Sequence, residues 1–441
     1  MDKQLINESI IAIDFGNSFC KVSIRLNGVN VASTLLRDDS YSYDEGNFCI
    51  PSVFGYLRNS NRFLFGTDAL RDNSADLEII RNWKPNFFDE SDQNRRDSLS
   101  QLFGHREGID VETAAIGYFN WLRKEVSAIC RNSFSIDDIS SIPARITLPA
   151  FGNVANATYR LRELLEESEW NVDATFSAIH EPYANSIGVF SEGRSAIWKP
   201  DIVAGERVIC EGKENEPHFG KMFGGSTFFE EFRNYALEKS DQKIHWVFVA
   251  DLGGYTLDFA MFGFNLNNIQ QTFSSEVKYD GLPAFARRSY PLGVMDIDEL
   301  VYEKGDAISK KLMDKMFSDK DQLMLNTFHQ TAYSRSQPFF LGAASIQPEI
   351  VNPALEDFLS QAAKSLDNFM AIHQYRKVDQ MVLTGGGSNI PAFRQLLIDR
   401  LKPGYTHGAV GNEVIPQYSE LPHDFVRGAT ALGGSSVYFE F

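Results

Sequence analysis

Two segments of the same design, one near the start of the chain and one past its middle, constrain the fold more than any other feature. Each has an apolar strand, an aspartate, a glycine turn and a second strand with alternating apolar residues; they read IIAIDFGNS at residues 10–18 and VFVADLGGYT at residues 247–256. Apolar residues at every second position around a glycine turn predict a β-hairpin. Glycine lets the backbone bend tightly, so that its N–H groups converge on an anion. We expect two hairpins that face each other across one phosphate chain.

The aspartates that end the first strand of each segment, Asp14 and Asp251, predict a metal site. A carboxylate does not bind phosphate directly, but it holds Mg²⁺, mostly through waters, and orients an attacking water. Either aspartate alone would equally suit a solvated or capping role, and the repeated context favours the metal. The loop residues expected beside the phosphates are Gly16, Asn17, Ser18, Gly253, Gly254, Tyr255 and Thr256. Together the two segments predict binding and hydrolysis of ATP with Mg²⁺.

Two further side chains are candidates for catalysis, Glu181 and Lys84. Glu181 stands where a predicted strand gives way to a helix, and from there its carboxylate could poise a water for attack on the γ-phosphate. A favourable interaction with the helix dipole is the alternative explanation for a glutamate at this position. Lys84 could neutralise the charge of the γ-phosphate, or it could be a solvated surface lysine.

A third glycine turn, TGGGS at residues 384–388, follows a predicted strand and opens onto a helix. Backbone N–H groups at such a helix start accept an anion or pack closely against a base and ribose. A tight strand–helix joint is the simpler alternative. On the first interpretation, the residues that bind the nucleotide are Gly385, Gly386, Gly387 and Asn389.

The charge balance limits the partners of this chain. Its 42 basic and 59 acidic residues give a net charge of −17, which argues against nucleic acid or an anionic membrane as the main partner. No run of 18 apolar residues and no apolar signal sequence is present, so we expect a cytoplasmic protein. The four cysteines include no Cys-x-x-Cys pair, and the chain has no P-loop motif.

Strands and helices alternate along the chain, which predicts an α/β architecture. The chain is long enough for more than one domain, and residues 191–243, rich in Gly, Glu and Lys, break the alternating pattern. We expect four parts: a first lobe at residues 1–190, an insertion or mobile excursion at 191–243, a second lobe at 244–420, and a closing helix at 421–441 that returns to the first lobe.

Eight motifs, in order along nearly the whole chain, resemble the nucleotide-binding domain of the 70-kilodalton heat-shock chaperones, within the actin, sugar-kinase and heat-shock ATPase superfamily. They are DFGNS (14–18), IPSV (50–53), FGTDA (65–69), ITLPA (146–150), EPYANSIG (181–188), DLGGYTLD (251–258), GGGSNIP (385–391) and FVRGA (425–429). Each motif is loose alone, and their shared order makes the resemblance specific.

The resemblance implies a duplicated actin-like (ribonuclease H-like) fold, in which two lobes close on ATP or ADP with Mg²⁺ and hydrolyse ATP slowly. It implies that Asp14 and Asp251 hold the metal and water, that Glu181 positions water, and that Lys84 meets the γ-phosphate. The expected function is therefore that of a chaperone-like nucleotide switch that regulates a protein partner. The expected partner is such a protein or a regulator that resembles a co-chaperone. The chain ends soon after the last motif, so we expect no peptide-binding domain.

Two positions depart from the family pattern: Tyr255 replaces a glycine of the second loop, and Asn389 stands where the chaperones carry an arginine that stacks on adenine. Two alternative functions remain open. One is a filament-forming, actin-like ATPase of the plasmid-partition kind, which self-assembles. The other is a small-molecule kinase, in which Asp251 would act as a base.

Overall fold

The computed structural model describes most of the chain, in eleven segments: residues 9–26, 33–41, 46–88, 111–151, 155–172, 178–190, 244–265, 284–372, 377–408, 418–421 and 423–435. The insertion predicted at residues 191–243 lies outside the described residues.

The described strands are, in chain order, β1 (Ile10–Phe15), β2 (Phe19–Arg25), β3 (Thr34–Leu35), β4 (Ile50–Pro51), β5 (Phe54–Leu57), β6 (Arg62–Phe65), β7 (Leu77–Ile80), β8 (Ala144–Leu148), β9 (Ala178–His180), β10 (Ile244–Leu252), β11 (Leu257–Asn265), β12 (Ala284–Tyr290), β13 (Phe339–Leu341), β14 (Ala344–Ile346), β15 (Gln380–Thr384), β16 (Tyr405–Gly408) and β17 (Tyr418–Glu420).

The described α-helices are α1 (Gly66–Arg71), α2 (Val111–Phe134), α3 (Ala155–Glu167), α4 (Glu181–Phe190), α5 (Val294–Lys304), α6 (Ala307–Ser318), α7 (Gln322–Phe328), α8 (Pro348–Ile372), α9 (Pro391–Leu401) and α10 (His423–Gly434). Short 3₁₀ turns at Lys84–Phe87 and Gly386–Asn389 and a π-helical turn at His329–Ser334 complete them. The α/β class predicted from the sequence is confirmed.

Two six-stranded sheets organise the molecule. The N-terminal sheet has the order β3-β2-β1-β8-β9, with β4 also paired to β2, and the C-terminal sheet has the order β12-β11-β10-β15-β16-β17. In each sheet the first strand pairs antiparallel with the second, which pairs antiparallel with the third. The other edge of β1 pairs parallel with β8, and β8 pairs parallel with β9. In the same way, β10 pairs parallel with β15, and β15 pairs parallel with β16. Five strands of each sheet therefore share one arrangement.

Both predicted hairpins are confirmed, in the same register. Asp14 lies opposite Lys21 across the first hairpin, and Asp251 lies opposite Asp258 across the second. The position seven residues after each aspartate therefore faces it across the hairpin. This register brings side chains of both strands to the end of the sheet at which the glycine turn lies.

The helices cover the sheets with the faces that the apolar spacing predicts. In α2, the residues at the i, i+1, i+4, i+5 and i+8 spacing of an amphipathic helix face are all buried: Ala114, Ala115, Tyr118, Phe119 and Leu122. One apolar core lies around the N-terminal sheet and another around the C-terminal sheet, and Phe88 packs against both. No helix in the described part of the chain combines the length and apolarity needed to cross a membrane.

Helices α4 and α10 cross each other at very short range, because glycines replace side chains where they meet. A Cβ atom at Gly188 would collide with the carbonyl oxygen of Ala429, and one at Gly433 would collide with that of Ala184. Although α10 follows the C-terminal sheet in the chain, it packs against β1, β2 and β8 of the N-terminal sheet and also contacts β15. The helix pair thus joins the two sheets.

Candidate functional site

The two glycine turns predicted to bind phosphate face each other. A Cβ atom added at Gly254 would lie 3.2 Å from Ser18 Oγ and 3.4 Å from the Cβ of Asn17. Gly16, Ser18, Gly253 and Gly254 are all partly exposed, whereas Asn17 is buried. Backbone groups of both turns are therefore within reach of one ligand placed between them.

Asp14 is buried at the end of β1 and forms an ion pair with a lysine from the next strand. Lys21 Nζ lies 3.0 Å from Asp14 Oδ2. A Cβ atom at Gly16 would lie 3.2 Å from the same ammonium group, so Lys21 lies beside the first glycine turn. The charges of Asp14 and its acidic neighbours outweigh the opposing effect of burial and raise the pKa of Lys21. The ammonium group is therefore held charged beside the first glycine turn.

Asp251 ends β10 and is fixed by side chains from α4, α10 and β15. Asn185 Nδ2 donates to Asp251 Oδ2 at 2.6 Å and to Thr430 Oγ1 at 3.1 Å. The carbonyl oxygen of Asn185 in turn accepts a hydrogen bond from Thr384 Oγ1 at 3.1 Å. Because each polar atom of the Asn185 side chain has a partner, the amide holds the Asp251 carboxylate in one orientation.

Glu181, the first residue of α4, forms a buried ion pair with Lys84. Lys84 Nζ lies 2.6 Å from Glu181 Oε1, and the two side chains are only 4% and 8% exposed. The ammonium group also lies 5.6 Å from the ring centres of Phe15 and Phe88. Lys84 is therefore not the solvated surface lysine of the alternative interpretation, and the two predicted catalytic side chains lie together.

A second buried carboxylate, Asp258, lies behind Glu181. Thr256 Oγ1 donates to Asp258 Oδ2 at 2.9 Å and lies 3.4 Å from Glu181 Oε2. Ser289 on β12 donates to the other oxygen of Asp258 and accepts a hydrogen bond from the backbone N–H of Ala150 at 2.6 Å. This network joins the residue that follows β8 to the C-terminal sheet.

The acidic side chains destabilise each other's charged forms. Burial, with the charges of Asp14 and Glu181, raises the pKa of Asp251 to about 7. Burial also raises the pKa of Glu181, against the opposing effect of Lys84, and raises that of Asp258 well above its usual range. A concentration of buried carboxylates with raised pKa values is typical of functional sites.

These carboxylates fit Mg²⁺ bound together with a phosphate ligand. Mg²⁺ is usually held by one or two carboxylates, with waters and phosphate oxygens completing its octahedron. Asp14 and Asp251 supply that number, and their mutual repulsion is what a divalent cation would relieve. Within the described segments, no group of three or more His, Cys, Asp or Glu side chains is arranged to hold a metal ion by itself.

Tyr255, the departure in the second loop, does not direct its ring at the opening between the turns. The side chain is 2% exposed, and its ring centre lies 6.3 Å from that of Phe88 and 6.1 Å from that of Phe151. Tyr255 therefore fills an aromatic cluster, and only its backbone could serve a ligand.

The third glycine turn lies directly beside Asp251. Gly385 has a φ of +82°, and a Cβ atom there would collide with Asp251 Oδ1 and with the carbonyl oxygen of Leu252. Gly386 is exposed, Asn389 is half-buried, and Gly387 is buried against Leu252. This turn therefore packs against Asp251 and Leu252, the residues that lead into the second glycine turn.

Sequence reasoning missed Lys21, Asn185 and Asp258. The signal that could have found two of them is the hairpin register, because Lys21 and Asp258 each lie directly opposite a predicted aspartate. Asn185 lies one helical turn after Glu181, so its position on the same face of α4 could also have been predicted from the sequence. No family model matches the chain, and no curated protein sequence matches it at a significant level.

Proposed function

We propose that this chain binds Mg-ATP between its glycine turns, hydrolyses it slowly, and acts as a chaperone-like nucleotide switch on a protein partner in the cytoplasm. The observation that carries the proposal is the pair of facing turns, each with a carboxylate at the end of the preceding strand. A Cβ atom at Gly254 would lie 3.2 Å from Ser18 Oγ, so both turns can donate to one phosphate chain.

The shared arrangement of the two sheets supports a duplicated, actin-like fold of two lobes. Both sheets place a hairpin beside two parallel strands in the same order. In a duplicated fold of this kind each lobe contributes one glycine turn, and the nucleotide lies in the cleft between the lobes. The crossing of α4 and α10, which joins the two sheets, would then act as the hinge.

The residues around the opening suit phosphoryl transfer to water. Asp14 and Asp251 would hold Mg²⁺, which would neutralise charge on the phosphates. Lys21 and Lys84 would neutralise charge that develops on the transferred group, since positioned cations stabilise such a transition state. Glu181 would accept a hydrogen bond from the attacking water and orient it in line with the γ-phosphate.

The proposal predicts slow ATP turnover that depends on Asp251. Purified protein should bind ATP and ADP with Mg²⁺ in isothermal titration calorimetry and should release inorganic phosphate from ATP. Asp251→Asn should reduce turnover by about 100-fold or more, since the amide cannot replace the carboxylate as ligand or base. The exposed Asp138, which bonds only to nearby Ser140 in the described part of the chain, provides a matched control as Asp138→Asn.

Each outcome has a distinct meaning. Wild-type turnover in Asp251→Asn would contradict the role of that residue. ATP binding without turnover in the wild-type chain would leave a nucleotide-gated scaffold, and absence of binding would overturn the proposal.

A further inference from the structure

Four consecutive side chains, at residues 81–84, contact four different parts of the molecule, and the inference drawn from them rests on the proposed function. The last of the four, Lys84, forms the buried ion pair with Glu181. The other three connect this lysine to the C-terminal half, to the first glycine turn and to the core. Three residues span at most about 11 Å of extended chain, so a displacement at one end of the segment reaches the other.

Arg81 makes the connection to the C-terminal half. Its guanidinium donates to the side-chain oxygen of Gln322, the first residue of α7, and to the carbonyl oxygen of Asp319 at 2.9 Å. Arg81 is 5% exposed and Gln322 is 2% exposed, so these hydrogen bonds are shielded from water. Because two nitrogens of the planar guanidinium donate to two acceptors at once, they fix the position of Arg81 relative to Asp319 and Gln322.

Asn82 makes the connection to the first glycine turn. Its side-chain oxygen accepts a hydrogen bond from Asn17 Nδ2 at 2.7 Å. Its backbone φ of +55° is in the left-handed region, which asparagine adopts more readily than most residues. Asn17 Nδ2 also lies 3.3 Å from Met295 Sδ on α5, so this turn contacts the C-terminal half as well.

Trp83 anchors the segment in the N-terminal core. Its indole N–H donates to the carbonyl oxygen of Ser52 at 2.9 Å, and Ser52 Oγ donates to the carbonyl oxygen of Gly16 at 2.7 Å. The indole is 1% exposed and lies 4.9 Å from the ring centre of Phe15. The segment is therefore also tied to the N-terminal core, between the contacts of Arg81 and the ion pair of Lys84.

We propose that Arg81 and Asn82 are positioning residues, which place Lys84 at the γ-phosphate of ATP only while residues 319–322 are seated against Arg81. When the two halves separate, Arg81 loses its acceptors and Lys84 loses its defined position. ATP and ADP differ in the γ-phosphate, so the ratio of their affinities measures whether Lys84 is in place. This ratio can be measured whether or not the chain turns ATP over.

Calorimetry with ATP and ADP on Arg81→Met, compared with wild type, tests the proposal. The preference for ATP over ADP should fall by about tenfold, because a hydrogen bond to a charged group is lost. Arg81→Lys, which keeps a donor for Asp319, should recover part of the preference. Arg162→Met is the matched control, since the partly exposed Arg162 lies on α3 and pairs with Glu166 of the same helix. The control should stay within about twofold of wild type.

Two further variants keep the test informative if Arg81→Met does not fold. Gln322→Ala removes an acceptor of Arg81 from the other side and should lower the preference in the same direction. In the double variant Gln322→Ala with Lys84→Met, the preference should match that of Lys84→Met alone, because the contact between Arg81 and Gln322 acts through Lys84.

The outcomes separate this inference from the proposed function. If Lys84→Met loses the preference for ATP while Arg81→Met and Gln322→Ala keep it, the positioning role is wrong and the proposed function stands. If the chain binds no nucleotide, or if Lys84→Met keeps the full preference, the role of Lys84 fails, and the positioning role fails with it.

Discussion

Lys21 places a positive charge beside the first glycine turn. Its ammonium group pairs with Asp14 and would lie 3.2 Å from a Cβ atom at Gly16. The same charge lowers the energy of the ionised form of Asp251, against the effect of burial. One lysine therefore compensates two carboxylates from different hairpins and also lies beside the first glycine turn.

At the residue scale we expect Lys21→Met to weaken the binding of both ATP and ADP by about tenfold, the typical loss when one charge-assisted hydrogen bond is removed. Because Lys21 lies at the turn and not beside Glu181, the preference between the two nucleotides should change little. Calorimetry of the variant, with the exposed Lys124→Met as control, measures both quantities. Unchanged affinity for both nucleotides would show that Lys21 serves Asp14 alone.

The candidate site was largely predictable at this scale because its polar residues follow apolar strands in a fixed pattern. Asp14, Asp251 and Glu181 were identified from such positions, whereas the role of Lys84 was implied by the family resemblance; the structure brings these side chains together. Asp258 was missed because an aspartate within a strand usually signals a solvent-facing position. Its burial depends on Ser289 from a third strand, a contact that no local pattern encodes.

Two glycines determine how closely α4 and α10 approach each other where they cross. Gly433 faces the carbonyl oxygen of Ala184, and Gly188 faces that of Ala429, so backbone lies directly against backbone. A methyl group at either position must push the helices apart, since a carbonyl group in a helix cannot rotate away.

We predict that Gly433→Ala lowers the free energy of unfolding by about 2 kcal/mol or more, the scale of overpacking in a rigid site. Urea titration followed by circular dichroism measures it. Gly386→Ala is a suitable control, since the nearest atom to a Cβ there is Arg427 Nη2 at 4.0 Å. Equal stability of the two variants would mean that the helices separate without cost.

A row of buried polar side chains crosses β10, β15 and β16. Gln380 accepts from His245 Nε2 at 2.5 Å and donates to His407 Nε2 at 3.0 Å. Both histidines are buried, and with Gln380 in this orientation Nε2 of His407 accepts a hydrogen bond and carries no proton. Burial, with the charge of a protonated His245, lowers the pKa of His407 to about 3 from 6.5.

This row predicts a loss of stability in acid. Between pH 6.5 and about 3 the unfolded chain binds a proton at His407 that the folded chain does not, so stability falls as the pH falls through that window. The loss approaches about 1.4 kcal/mol per pH unit for one such group. His407→Gln should reduce this slope in urea titrations between pH 4 and pH 7, and an unreduced slope would contradict the assignment.

Elements long enough to show a repeat of apolar residues were predicted well, whereas some of the strands of two or three residues were not. The face of α2 and both hairpins follow from local spacing. The strands β3, of two residues, and β17, of three, carry too few residues for a period to be detected, whereas the short β9 was predicted from its place before Glu181. These strands exist because they extend a neighbouring strand, which is a tertiary contact and not a local preference.

At the scale of the whole molecule, ATP should draw the two halves together. Small-angle scattering should give a radius of gyration near about 22 Å for a compact chain of 441 residues, decreasing when Mg-ATP is added. Mg-ADP should produce a smaller change, and Arg81→Met should respond less than wild type. An unchanged radius with saturating ATP would contradict closure, and ATP-dependent growth of large particles would favour the filament-forming alternative.

The order of the strands in each sheet was harder to predict from the sequence than the hairpins were. The parallel pairings of β1 with β8 and of β10 with β15 join residues more than 100 positions apart. The superfamily resemblance implied such an arrangement, whereas apolar spacing alone predicted only the α/β class.

The packing of α10 on the N-terminal sheet determines when that sheet can be completed. Its strands are synthesised first, but the helix that covers β1, β2 and β8 ends at Gly434. During synthesis these strands lack the contacts of this helix until the residues up to Gly434 have left the ribosome. Contacts between such distant residues form slowly, and an uncovered apolar sheet is prone to aggregate meanwhile. Slow refolding with strong dependence on protein concentration is therefore built into this topology.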